Sequence, residues 1–155
     1  MMPKRKTWLG FSLLEMLIVL VIFGVVASIA IPSYQRYLRE GRRMIGKDCL
    51  QQVHHRMESF FASRNTYPTS MGGLGYTNLS GGALDCDDQG YYLVTIGGAS
   101  SGCPAGRCYQ LLATAQPVQE PDGNLRLTFR ADKTNPAERI VRERMVDGTW
   151  QQKWD

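Results

Sequence analysis

Four cysteines carry the most obvious chemistry in this sequence, because thiols either bind a metal or pair as disulfides. They are Cys49, Cys86, Cys103 and Cys108. Structural zinc sites draw on pairs of cysteines separated by a few residues, and this chain lacks two such pairs. Four cysteines joined as two disulfides allow three connectivities. Disulfides are favoured over zinc, and the preference depends on an oxidising compartment.

Three acidic residues and two histidines give weaker signals. Asp85, Asp87 and Asp88 could ligate calcium, but they lack the regular ladder of oxygen ligands of a calcium-binding hand. A solvated turn is therefore favoured there. His54 and His55 are adjacent in a predicted helix, which favours structural or solvent-facing roles. We find no glycine-rich phosphate loop with a lysine, no serine nucleophile elbow and no paired catalytic carboxylates, so we predict no enzyme, metal or cofactor.

The hydropathy of the chain is uneven. A run over 11–31 reads FSLLEMLIVLVIFGVVASIAI and contains one charge, Glu15, whereas the residues after it are polar and glycine-rich. As a helix, this run would span roughly 30 Å, the hydrocarbon thickness of a bilayer. It is longer than the apolar core of a secretory signal, and bulky polar residues follow it. It is predicted to be a transmembrane helix that stays on the protein.

The net charge of +4 owes much to the N-terminal tip, where Lys4, Arg5 and Lys6 precede the apolar run. Without residues 1–10 the chain holds 15 basic and 14 acidic side chains, since 18 minus 3 is 15 and the tip contains no acid. The rest of the chain therefore has only a small excess of basic over acidic side chains. Composition alone does not indicate a DNA-binding protein.

The junction between the tip and the apolar run reads Gly-Phe-Ser-Leu-Leu-Glu, from Gly10 to Glu15. It resembles the class III signal of type IV pilins and pseudopilins, which usually has threonine in place of Ser12. The resemblance implies that a prepilin peptidase cuts after Gly10 and N-methylates the new terminus, Phe11. It also implies that Glu15 neutralises that amine on a neighbouring subunit, a pairing that selects register. The alternative is a simple anchor in which Glu15 snorkels or is protonated.

The same resemblance implies a location and partners. The leader lies in the cytoplasm and the domain in the periplasm, on a single-pass protein of the inner membrane that later enters an extracellular pilus. The expected partners are other pilins, major and minor, the prepilin peptidase and the inner-membrane assembly platform. Basic residues flank the span on both sides, so charge alone does not fix the orientation.

The helix is predicted to continue beyond the span to Ser63, because apolar residues recur at spacings of three and four. Pro32 is expected to kink or loosen it, and Pro68 cannot continue it. Basic residues, among them Arg43 and Lys47, are assigned to the solvated side. The apolar positions are Tyr34, Tyr37, Leu38, Gly41, Met44, Ile45, Cys49, Val53, Met57, Phe60 and Phe61.

After a predicted loop over 68–90, the chain has the pattern of short antiparallel strands. Asp147-Gly148 between two of them is a strong hairpin signal, and Trp150 and Trp154 share a face if the last segment is extended. A helix followed by a meander predicts an α+β fold, type IV pilin-like, with the sheet packed on the helix. The predicted strands cover 91–96, 108–115, 124–130, 140–146 and 149–154. The predicted segments are a leader (1–10), a transmembrane and assembly helix (11–32), its amphipathic second half (33–67) and a globular domain with an αβ-loop (68–155).

A domain outside the cytoplasm makes two disulfides the favoured chemistry of the cysteines. We favour Cys103–Cys108, which closes a small loop, and Cys49–Cys86, which pins the long loop to the helix. Many relatives close a C-terminal loop with two cysteines, and this chain has none after Cys108. That difference is a departure from the family pattern.

Three functions remain open. Residues 52–67 and 90–92 resemble PilE-type minor pilins, which favours a minor pilin that supports adhesion, twitching motility or DNA uptake. The nearest rival is a type II secretion pseudopilin. The third is a pilin that captures DNA through a basic stripe, which is not favoured because Asp132, Glu138 and Glu143 balance the charge. The stripe would comprise Arg126, Arg130, Lys133, Arg139, Arg142 and Arg144.

Overall fold

In the part of the chain that the structure describes, a long helix precedes seven short strands and one further short helix. The computed structural model describes residues 11–87, 89–98, 103–104, 106–152 and 154. The chain divides into two compact units, the first ending at Leu38 and the second beginning at Arg39. The elements are α1 (Leu13–Arg64), β1 (Leu79–Ser80), β2 (Ala83–Asp85), β3 (Tyr92–Gly97), β4 (Tyr109–Ala115), β5 (Leu125–Phe129), α2 (Pro136–Arg139), β6 (Ile140–Val146) and β7 (Thr149–Gln151), with 3₁₀ turns at Gly72–Leu74 and Glu120–Asp122.

The described part of the first unit is helical from Leu13 onward. Pro32 lies inside α1 and does not end it, although a proline lacks the N–H that would bond to the carbonyl four residues earlier. Two hydroxyls nearby bond to backbone carbonyls: Ser28 Oγ donates to Val25 at 2.7 Å and Ser33 Oγ donates to Ile29 at 2.9 Å. The predicted continuation of the helix beyond the apolar run is confirmed, to Arg64.

In the second unit, one stripe of α1 packs against one face of the sheet. The stripe holds Gly46, Cys49, Leu50, Val53 and Met57. Gly46 permits the close approach, because a Cβ there would lie 2.9 Å from Tyr92 Cδ2. The buried residues that the sheet contributes are Leu84, Tyr92, Val94, Tyr109, Leu111, Ala113, Leu125 and Leu127.

The predicted helix face is partly wrong at its start. Met44 and Ile45 were assigned to the packed face, but they are 60% and 37% exposed. Arg43 was assigned to the solvated face, but its side chain is 12% exposed and pairs with Asp122. The buried stripe is rotated toward Arg43 and Leu50, because the 3₁₀ turn before β5 supplies the carboxylate of Asp122, which satisfies the guanidinium.

All seven strands form one antiparallel meander in chain order, as predicted for the sheet. Five of the strands lie where the alternation places them. The hairpin β1–β2 was missed and lies within the predicted loop, because strands of two and three residues are too short to show alternation. Gly81 and Gly82, with φ of 58° and 87°, make its turn.

The C-terminal hairpin forms at Asp147-Gly148, where both residues have positive φ, as a type I′ turn requires. The last strand, however, ends at Gln151 rather than 154. Trp150 stacks with Arg126 on the face turned away from α1, whereas Trp154 packs against the core. The two tryptophans therefore do not share a face, because the extended segment ends before Trp154.

Candidate functional site

The apolar N-terminal segment is the first candidate site. An 18-residue window of α1 has a mean hydropathy of 2.8, and none of it is buried within the chain. Phe11, at the start, is 75% exposed. A helix that is apolar on every side is stable only in lipid or among other apolar helices. This segment therefore suits insertion and helix–helix assembly; Gly10, the predicted cleavage position, lies outside the described residues.

Glu15 lies in the first turn of α1. A carboxylate near a helix N-terminus is favoured by the helix dipole. The side chain is exposed among apolar neighbours, and the ion pairs described in the chain all lie between residues 43 and 144. Within the described part of the chain, none of these ion pairs includes Glu15.

The second candidate is an open cationic cleft of about 350 Å³ between the end of β5, α2 and β6. Arg130, Lys133 and Arg142 line it, together with Glu138. The short helix α2 is fixed by Asn135, whose Oδ1 accepts from Ala137 N at 3.0 Å. Other lining residues are Ala137, Ile140, Val141 and Gln152.

The backbone of this cleft is tied together on both sides. Arg130 N donates to Arg139 O at 2.8 Å, and Arg139 Nε donates to Lys133 O at 2.9 Å. Arg130 also donates to both oxygens of Asp132, Nε at 3.1 Å and Nη2 at 2.8 Å. The hydrogen bond from Arg130 is the main reason that the pKa of Asp132 is lowered. Four predicted stripe residues, Arg130, Lys133, Arg139 and Arg142, thus come together.

The other two stripe residues lie elsewhere, so the stripe of six is not one surface. Arg126 pairs with Glu143 at 2.7 Å and its guanidinium carbon lies 4.0 Å from the centre of the Trp150 ring. Arg144 lies 3.5 Å from Asp122 and faces the core side of the sheet. Alternation sends Arg126 to the face opposite that of Arg142. Arg144 shares the face of Arg142 but lies two residues further along β6, beside Asp122.

Two aromatic residues were missed as companions of basic groups. Arg142 lies over the Trp154 ring at 5.6 Å. On the loop over 103–108, Arg107 lies over Phe61 at 5.4 Å. A guanidinium stacked on a ring keeps N–H donors at its edge for an anion. No sequence signal links these pairs, since the partners are far apart in the chain.

The structure joins Cys49 to Cys86 and Cys103 to Cys108, the two pairings favoured from the sequence. The first ties α1 to the end of β2 and the second closes the loop before β4. Cys108 Sγ also accepts a hydrogen bond from Ala131 N at 3.2 Å. The small disulfide loop therefore contacts the turn that carries Asp132.

The described aspartates at the end of β2 accept hydrogen bonds from the backbone of the turn that follows it. Asp87 Oδ1 accepts from Gln89 N at 2.7 Å and from Tyr91 N at 3.4 Å, and Asp85 Oδ1 accepts from Asp87 N at 3.4 Å. Asp88 lies outside the described residues. This pattern is a side-chain-capped turn.

His54 and His55 lie in different environments. His55 is exposed, whereas His54 Nδ1 bonds to Tyr109 Oη, which in turn donates to Glu58 Oε1 at 3.1 Å. Tyr67 Oη donates to the same oxygen at 2.8 Å. Burial lowers the pKa of His54 and raises those of both tyrosines. The cluster is a structural network at the end of the helix.

Two segments of the chain match known families. The family model described as "Type IV minor pilin ComP, DNA uptake sequence receptor" covers residues 32–125, and the prokaryotic N-terminal methylation motif covers residues 9–31. A long apolar helix with this motif, followed by a helix-packed antiparallel sheet, defines a type IV pilin. Since the first match takes in more than half of the residues, the chain belongs to the ComP family of type IV minor pilins.

Individual relatives agree with this class. The chain is 28% identical over 94 residues to the type IV major pilin protein PilA of Myxococcus xanthus, covering 55% of this chain and 41% of that one. It is 42% identical over 40 residues to fimbrial protein Q of Moraxella bovis, covering 24% and 26%. It is 29% identical over 73 residues to type II secretion system core protein G of Aeromonas hydrophila, covering 47% and 50%. The matches thus span half or less of these relatives, and no solved structure matches significantly.

The predicted class is confirmed: the chain belongs to a family of type IV minor pilins. The motif and the apolar helix fit a membrane-anchored pilin.

Proposed function

We propose that this pilin is cut after Gly10, methylated at Phe11, and held in the inner membrane by residues 11–32 with its domain in the periplasm. From there it enters an extracellular pilus, handled by a prepilin peptidase and an assembly platform. The observation that carries the proposal is the single acid, Glu15, in the first turn of a helix whose apolar window is wholly exposed. An isolated charge in hydrocarbon is costly, and a neighbouring ammonium removes that cost.

Glu15→Gln tests the pairing, because it keeps the shape of the side chain and removes the charge. We expect its incorporation into sheared pili to fall at least about tenfold while the membrane pool is retained. Glu40→Gln, outside the apolar run, is the matched control and should assemble normally. Wild-type yield of Glu15→Gln in pili would overturn the role of Glu15. Mass spectrometry should find the mature protein beginning at methylated Phe11, and an intact leader would overturn the processing step.

The type II secretion pseudopilin stays the nearest alternative, because core protein G of that system is among the relatives. Fractionation of sheared pili from a strain that lacks the secretion system distinguishes the two. A pilus subunit stays in the pilus fraction of that strain. Loss of the protein from that fraction would favour the pseudopilin.

We propose DNA capture as a second function, at the cationic cleft of Arg130, Lys133, Arg139 and Arg142. The proposal is supported by the family description, which names a DNA uptake sequence receptor. It is also supported by the three cations that line one open cleft with Glu138. Arg139 is hydrogen-bonded to the backbone of Lys133 beside them. Adhesion and twitching motility carry no comparable observation in this structure.

The test measures binding of the full chain, in detergent, to duplex DNA over a range of salt concentrations. Each phosphate contact contributes a slope of about −0.9 in log K against log salt. Lys133→Ala with Arg142→Ala should make this slope less negative by about two and lower the affinity roughly a hundredfold at 0.1 M salt. Arg126→Gln, a cation placed elsewhere, is the control and should change binding little. Absence of binding by the wild type at low salt would overturn DNA capture.

A further inference from the structure

An acid lies beside the proposed DNA cleft. Asp132 takes both of its bonds from Arg130, at 3.1 Å and 2.8 Å, and thereby neutralises one of the cations that line the cleft. The two side chains remain 27% and 24% exposed, so both can be reached from solvent. A site built only to hold phosphate would gain nothing from a carboxylate at this place.

The position of Asp132 is fixed by its neighbours rather than by the ion pair alone. Ala131 N donates to Cys108 Sγ at 3.2 Å, and the same sulfur lies 4.0 Å from Asp132 Oδ1. Cys108 is held by its disulfide with Cys103, and Arg130 N is held by Arg139 O. The carboxylate and the guanidinium are therefore presented together from a tethered turn, as a selective contact requires.

The Arg130–Asp132 pair keeps hydrogen-bond donors and an acceptor that a ligand can use. Arg130 uses two of the five N–H groups of a guanidinium on Asp132, which leaves three for a ligand. A carboxylate oxygen has more than one lone pair, so Asp132 can accept a further hydrogen bond. A phosphate offers no donor and is repelled by the carboxylate. The edge of a base pair offers acceptors to arginine and an amino donor to an acid, as cytosine N4 does.

We propose that Asp132 is a specificity-determining residue of the DNA site. It disfavours contacts made to the sugar–phosphate backbone alone, and it accepts a hydrogen bond from the amino group of a base while Arg130 donates to the neighbouring acceptors. The inference rests on the proposed capture of DNA by this cleft. It assigns base reading to the pair Arg130–Asp132 and phosphate binding to Lys133 and Arg142.

The experiment compares the full-length wild type with Asp132→Asn, which keeps the size of the side chain and removes its charge. Both are purified in detergent and bound to a library of duplexes with a randomised centre, and the bound fraction is sequenced. Asp147→Asn is the control, since this exposed turn residue has the same charge change away from the cleft and asparagine tolerates its positive φ. Thermal unfolding of each variant checks that the fold is kept.

We expect Asp132→Asn to bind the unselected library about three- to tenfold more tightly, because one repulsive charge is removed. We also expect the base preference of its selected pool to change at one or two positions, because an amide presents an N–H donor beside its acceptor where the carboxylate presents acceptors only. Unchanged selection in Asp132→Asn, with the wild type binding DNA, would overturn this inference alone. Equal gains for Asp132→Asn and Asp147→Asn would also overturn it, because net charge would then explain both. Absence of binding by the wild type would overturn DNA capture and this inference with it.

Discussion

Arg43 on α1 binds both carboxylate oxygens of Asp122, which ends the 3₁₀ turn before β5. Arg43 Nε donates to Asp122 Oδ2 at 2.8 Å, and the two side chains are 12% and 5% exposed. Tyr92 Oη donates to the same carboxylate at 3.1 Å, and Arg144 lies 3.5 Å away. This one carboxylate therefore connects the helix to β3 and β6.

Asp122→Asn should lower the free energy of unfolding by about 3–5 kcal/mol, because a buried guanidinium would lose its countercharge. Thermal or urea unfolding of the full chain in detergent measures the change. Asp147→Asn, in an exposed turn, should change stability by less than about 0.5 kcal/mol. A similar small loss in both variants would contradict the role assigned to Asp122.

The same carboxylate should make the fold sensitive to acid. Burial tends to raise the pKa of Asp122, but the hydrogen bond and charge of Arg43, with Tyr92 and Arg144, lower it below its ordinary value of 3.8. The stabilisation is therefore complete above about pH 4 and is lost as the pH falls through the lowered pKa. Unfolding midpoints measured from pH 6 down to about pH 2 should fall steeply in the wild type and less in Asp122→Asn.

His54 should produce a separate dependence at milder pH. Burial lowers its pKa from the ordinary value of 6.5, and the charge of Glu58 opposes the shift only in part. Below about pH 6.5 this histidine binds a proton in the unfolded chain but stays neutral in the folded chain. The free energy of unfolding should therefore fall as the pH drops from about 7 toward the lowered pKa. Stability curves of His54→Gln should lose this slope. The exposed neighbour provides the control: His55→Gln should keep it, and a slope retained in both would contradict the assignment.

The two disulfides should stabilise the fold unequally. Cys49–Cys86 closes a loop of sequence separation 37 and Cys103–Cys108 one of 5. Loop-closure entropy then assigns them about 4 and about 2 kcal/mol. Replacing each pair with serine should therefore lower the unfolding midpoint more for the first pair. The smaller loop also abuts Ala131, so its loss should weaken DNA binding, whereas loss of Cys49–Cys86 in a protein still folded should not.

Periodicity predicted most of the fold, because α1 and the five longer strands each repeat an apolar pattern. Periodicity could not predict the hairpin β1–β2, because strands of two and three residues are too short to show an alternation of apolar and polar residues. The pairing of Arg43 with Asp122 was also beyond it, because 79 positions separate the partners and the helix pattern treats every arginine as solvated. The turn that carries Asp122 determines which side of α1 is covered near Arg43.

The two candidate sites also differ in how far the sequence could predict them. Phe11 and Glu15 belong to a contiguous motif, so the sequence alone identifies them as candidate site residues. The cationic residues were identified by type, but the strand register puts Arg126 on the face opposite Arg142, and Arg144 lies two residues beyond Arg142 along β6. A basic residue contributes to a surface according to its face, and the face of a strand residue depends on a register that the sequence does not state.

Gly123 offers a test of the turn that carries Asp122. Its φ of 84° and ψ of 171° belong to a region open essentially to glycine, and a Cβ there would overlap the carbonyl oxygen of Met145. Gly123→Ala should lower the free energy of unfolding by more than about 4 kcal/mol. Gly148→Ala shares the positive φ, at 76°, but its Cβ would meet nothing within 4 Å, so a loss of about 1–2 kcal/mol is expected. Equal losses, measured by urea unfolding, would show that backbone strain alone acts at Gly123 and that the approach of Met145 is not tight.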